Sequence, residues 1–269
     1  MRTLKAVVVA ALALAGASAQ AKDDELLADM ASLDKVYIDP LFFTSNMHPP
    51  KAKQAMGAFV SQWRAFAARY RELRPSERGW SAHFAVVDGA IAAAQPIVDD
   101  AAARFAAKDP TCALLACPSL VAAHDALETV RYELRDLRIH NGFPKFVTDK
   151  LTAYHDPMEA IVLTFKGRPL AQVTPAELDA VGAWLDEALF LWSRFEATPI
   201  DAELWGFSDL QRAEIARRVA VERAVLERLA AAYDAGQLEA LAADAPALKQ
   251  AFVPVYTAFA RDPLLNKLP

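Results

Sequence analysis

The sequence predicts an all-α protein, an antiparallel up-and-down helical bundle of about six to seven helices. Three observations carry this. Nearly every long segment repeats its apolar residues with a helical period, and no strand-like alternation persists. The nine glycines stand mostly at segment ends. The connections are short, which favours antiparallel neighbours.

In chain order, residues 1–21, "MRTLKAVVVAALALAGASAQA", read as a secretory signal peptide. Arg2 and Lys5 give the positive start, residues 6–15 the apolar run, and "ASA" or "AQA" the cleavage site. The run is too short to span about 30 Å of hydrocarbon, and "KDDE" follows it. Residues 22–49 form an N-terminal arm, expected as a short helix and then an extended aromatic stretch. Residues 50–269 form the bundle domain, with helices expected at 51–73, 77–107, 119–139, 144–166, 175–196, 208–233 and 236–260. Pro50 suits a first helical turn, and Gly142 in "HNG" suits a left-handed cap. Thr174, Pro175 and Glu177 make an N-cap, N1 and N3 set, a capping box.

The expected location is periplasmic or secreted, and the mature chain is expected to be soluble. Loss of Arg2 and Lys5, with no acidic residue, takes the net charge from −5 to −7. A mildly acidic surface with no basic stripe argues against nucleic acid and anionic membranes as partners. A periplasmic protein partner stays open. Cys112 and Cys117 are the two cysteines. A lone close pair in an oxidising compartment reads as a disulfide pinning a loop.

No phosphate-cradling loop, G-x-S-x-G elbow, H-E-x-x-H or EF-hand loop is present. The reading therefore leans away from an enzyme. What remains is a doubled motif, "HDALE" at 124–128 and "HDPME" at 155–159. On a helix, residues i and i+4 share a face, so His124 with Glu128, and His155 with Glu159, each set a nitrogen beside a carboxylate. In an antiparallel hairpin turning near 141–142, His124 lies level with Glu159 and Glu128 with His155. The four are then expected to converge as ligands of a transition metal ion (zinc, copper or iron), with Asp125 and Asp156 orienting the imidazoles. The competing account is structural. Arg131, Arg135 and Arg138 continue the flank as a solvated ladder, and Asp156, Pro157 and Glu159 read as the cap of a new helix. The Glu-x-x-His pairs of di-iron bundles reverse this order, so their pattern is not carried over.

Two further residues are possible additional ligands. Glu222 interrupts an apolar stripe and needs a partner or a metal, with Arg218 as the expected salt-bridge partner. His83 lies among aromatics as a hydrogen-bonded core residue or an axial haem ligand. Metal binding ranks first, an interaction or ligand-sensing bundle without metal second, and a non-covalent haem bundle third.

Overall fold

A computed structural model describes the backbone of residues 2–73 and 79–261, and the side chains within those ranges from residue 24 onward. The described residues are helical, with no strand. An isolated antiparallel bridge joins Ala113 to Ala116. The helices are α1 (Arg2–Ser45), α2 (Pro49–Tyr70), α3 (Trp80–Ala106), α4 (Leu120–His140), α5 (Val147–Phe165), α6 (Pro175–Glu196), α7 (Ala202–Trp205), α8 (Asp209–Asp234), α9 (Leu238–Asp244) and α10 (Pro246–Tyr256). The side chains of the expected signal peptide lie outside the described residues.

Local chemistry accounts for the boundaries. Thr174 accepts from the Glu177 backbone at the start of α6, as the capping box requires, and Ser208 with Gln211 repeats the device on α8. The His48 side chain accepts from the Lys51 amide and caps α2, where Pro49 takes the first turn. Gly142, at φ 77°, ends α4 in the left-handed conformation that a side chain disfavours. Two expectations change. Residues 22–45 are helical throughout, with Pro40 inside α1, so the extended arm is not formed. The helix expected at 236–260 is broken, because Pro246 opens α10 as a separate helix. Pro157 lies within a continuous α5, as the single helix expected over 144–166 requires, and the competing cap at Asp156 is not formed.

Packing pairs α1 with α2, α2 with α3, α3 with α4 and α4 with α1, which closes a four-helix group. Likewise α5, α6, α8 and α10 close a second group. Phe59, Trp63, Trp80 and Phe84 in the first group and Tyr154, Trp192, Leu226 and Phe252 in the second belong to one continuous hydrophobic core. α3 is long and apolar enough to cross a membrane by length and composition, and here it packs against α2 and α4. Gly182 on α6 makes a necessary close approach, since a Cβ there would overlap the Tyr233 ring of α8.

A buried ion cluster joins the two groups. Arg138 on α4 reaches Asp34 on α1 at 3.1 Å and Asp149 on α5 at 3.1 Å, while Thr148 donates to Asp34 at 2.9 Å. Asp149 also accepts from the Phe146 amide at 2.8 Å, which caps α5. Burial alone would lower the Arg138 pKa, but Asp34 and Asp149 outweigh it and hold the guanidinium charged. Burial raises the Asp34 carboxyl, opposed by Arg138. Two arginines of the flank expected to be solvated are therefore covered. Arg131 and Arg138 are 4% and 3% exposed, because α1 and the second helix group lie over that side of α4, while Arg135 stays partly exposed.

Candidate functional site

The doubled motif sits where the two groups meet. α4 brings His124 and Glu128 from the first, and α5 brings His155 and Glu159 from the second. Each pair closes along its own helix, His124 Nε2 to Glu128 Oε1 at 3.3 Å and His155 Nε2 to Glu159 Oε2 at 3.4 Å. The i,i+4 geometry read from the sequence is thus present.

The expected convergence of all four on one point is not. Among the described residues, no group of three or more His, Cys, Asp or Glu side chains is placed to hold a metal ion. Arg131 stands between the pairs. Its Nη2 lies 2.8 Å from His155 Nδ1 and also pairs with the Glu128 carboxylate. Burial would lower the Arg131 pKa, and Glu128 overrides this, so the cation between the pairs is a guanidinium. The register is also shifted. Arg131 meets His155, and the Tyr132 hydroxyl donates to Asp156, about one turn from the expected alignment. The cause is the non-helical stretch 143–146, which delays α5 and moves the hairpin's centre.

These contacts set the imidazole roles. An arginine nitrogen only donates, so His155 Nδ1 accepts from Arg131 and its Nε2–H is left to face Glu159. That tautomer leaves no nitrogen lone pair for a metal. His124 differs. Its Nδ1 lies 3.2 Å from the Leu41 carbonyl of α1, which only accepts, so Nδ1 carries the proton and Nε2 faces Glu128. Burial lowers the His124 pKa, with Lys249 acting in the same direction and Glu128 against it. Burial would raise the Glu159 carboxyl, but His155 and Lys249 outweigh it and hold it below the usual range. Lys249 of α10 reaches Glu159 at 3.0 Å.

The orienting roles expected of the aspartates fall elsewhere. The Leu41 carbonyl orients His124, and Asp125 is an exposed residue on the cleft wall. Asp156 accepts from Tyr132, and its nearest approach to His155 Nδ1 is 3.9 Å.

Beside the pairs opens a cleft of about 740 Å³, walled by α1, α4, α5 and α10. His124, Asp125, Glu128, Glu159, Lys166 and Lys249 line its polar side, and Phe42, Met47, Val121, Leu163 and Val253 its apolar side. The sequence reading missed the α1 and α10 contributions. Lys249 and Leu41 carry no local signal, because only packing brings them to α4 and α5.

The other expected sites lie apart. Glu222 is fully buried in the second helix group, where one oxygen accepts from the Tyr154 hydroxyl and the other has no hydrogen-bond partner. Burial pushes its pKa up to about 8, opposed by the Tyr154 hydrogen bond. The expected Arg218 partner bonds Glu214 and the Pro254 carbonyl instead. His83 meets Glu133 at 2.6 Å and His140 at 3.3 Å, so it is a hydrogen-bonded residue at the α3–α4 contact. Cys112 and Cys117 are paired as a disulfide and pin the loop before α4.

Comparison with protein-family models, curated proteins and solved structures finds no match to this chain.

Proposed function

We propose that the protein is an exported, non-enzymatic binding protein, built of antiparallel up-and-down helices, that takes a small organic ligand in the cleft between its two helix groups. One observation carries this reading. The cleft is of small-ligand size, its polar side is fixed in place by Arg131 and Lys249, and its other side is apolar. A site whose carboxylates already hold protein cations is preorganised for hydrogen bonding and needs no metal to assemble it. The ligand class that fits has a polar head against His124 and Glu159 and an apolar body against Met47 and Leu163. Export rests on the N-terminal sequence, and the mass of the mature protein recovered from cells tests it.

Native mass spectrometry of protein isolated without chelator, together with a thermal-shift panel of amphiphilic amines and carboxylates, tests the cleft. A bound organic mass, or a shift in wild type that falls at least tenfold in sensitivity in Leu163→Asp, is the expected result. No adduct and no shift from any compound would sink the reading. A Soret band would point to haem instead.

A specific contact supports the metal reading as the second. With Nδ1 protonated toward Leu41, a neutral His124 turns a lone pair toward the Glu128 carboxylate, and a bridging cation relieves that opposition. Equal metal content in wild type and a His124→Ala/His155→Ala variant would remove it.

A further inference from the structure

We propose a second site, independent of the cleft, at which His83 and His140 bind a divalent transition metal ion, with Glu133 holding His83 in place. His83 lies in the first turn of α3, and Glu133 and His140 are on α4. His83 Nδ1 is 2.6 Å from a Glu133 carboxylate oxygen, to which its N–H donates a hydrogen bond. That contact fixes the tautomer and leaves Nε2 as a lone pair. The carboxylate–histidine arrangement is the one that orients metal-bound imidazoles and raises their basicity.

The Nε2 of His83 lies 3.3 Å from Nδ1 of His140, whose N–H donates to it. An ion between them replaces that hydrogen bond, and His140 then carries its proton on Nε2. Two nitrogens bound to one ion at about 2.0–2.1 Å stand roughly 3.3–3.4 Å apart in a tetrahedral site and roughly 2.8–3.0 Å apart when cis in a tetragonal one. The pair is therefore at tetrahedral ligand spacing, and a tetragonal ion asks the nitrogens to close by about 0.4 Å. The ring centroids are 5.3 Å apart and the rings are tilted at 37°, so the imidazoles are not stacked face to face. His140 is exposed, which leaves the remaining coordination positions to water. It is also the last residue of α4, where a helix C-terminus favours positive charge. Two imidazoles with water suit copper(II), nickel(II) or zinc(II), and do not suit magnesium or calcium. The ion clamps the start of α3 to the end of α4, so it stabilises the fold that binds it.

Titration of the full chain with Cu²⁺, followed by calorimetry and electron paramagnetic resonance, tests this. One equivalent is expected to bind with nitrogen hyperfine coupling. Affinity should fall at least tenfold in His140→Ala, a surface change that leaves the core intact. Glu133→Gln should weaken binding by a smaller factor, and His124→Ala should leave it unchanged. Absence of binding in wild type, or equal affinity in His140→Ala, would overturn the site. Loss in His124→Ala with none in His140→Ala would place the ion in the cleft and also overturn it. Because the cleft is probed with organic ligands and this site with Cu²⁺, the two proposals fail separately.

Discussion

Arg131 Nη2 lies 2.8 Å from His155 Nδ1 and also pairs with the Glu128 carboxylate, so one buried guanidinium ties together the two halves of the repeated motif. The chain brings two histidine–glutamate pairs to one seam and then places its own cation between them.

Removing that cation should be costly. Arg131→Ala leaves the Glu128 carboxylate without its guanidinium partner. Loss of one member of a fully buried pair costs about 3–5 kcal/mol, and because Glu128 lines the open cleft and still faces His124 the loss should fall at or below the low end. Arg131→Lys should recover only part of this, because an ammonium does not reproduce the planar fork. Denaturant unfolding monitored by circular dichroism checks both variants.

Glu222 should make stability depend on pH. Its folded pKa is raised from 4.5 to about 8 by burial, so the folded state keeps a proton that the unfolded state releases. The stabilising contribution is present in full below pH 4.5 and is lost as pH rises toward 8, by at most about 1.4 kcal/mol per pH unit. Glu222→Gln should flatten the urea midpoint between pH 5 and 8. An unchanged slope would mean that Glu222 is ionised in the core.

His124 should titrate below the usual histidine value of 6.5, because burial disfavours its charged form. With a depressed folded value, its contribution to stability is present above pH 6.5 and falls as pH drops through the folded pKa. The NMR chemical shift of its ring proton against pH measures this directly. A midpoint at or above 6.5 would contradict the burial.

Opening the disulfide should have a limited effect. Cys112 and Cys117 are five residues apart, and closing so short a loop contributes about 2 kcal/mol by chain entropy. The double serine variant should lower the melting temperature while leaving the His124 titration unchanged, since the loop is outside the ion cluster.

Much of the fold was legible because helix formation is local. Thr174 and Glu177 fixed the start of α6, and Gly142 marked the end of α4, through contacts within a few residues. The two misread segments, 22–49 and 236–260, both contain prolines. Pro40 and Pro157 lie inside helices that tertiary packing holds together, whereas Pro246 does open a new one. A proline removes one backbone bond, and whether a helix survives depends on what packs around it.

The site was legible only in its parts. The spacing in "HDALE" and "HDPME" fixed that each histidine would meet its own glutamate, because i and i+4 share a face on any helix. It could not fix what the flank faces. Arg131 and Arg138 read as solvent-exposed charges because nothing nearby in sequence covers them, and their covering comes from α1, α5 and α10, all distant in sequence. Glu222 shows the same division. Its place on an apolar stripe marked it as buried, but its partner came from Tyr154 on another helix rather than from Arg218 one turn away.

By itself, then, the sequence determined the helical class, most helix ends and the two histidine–glutamate pairs, all set by interactions spanning a turn or less. Tertiary structure alone decided that Arg131 separates the pairs, that Leu41 and Lys249 complete the cleft, and that His83 meets His140. Those relations depend on how distant faces pack and on a three-residue delay in the start of α5, from the expected 144 to Val147, and neither is encoded in local periodicity.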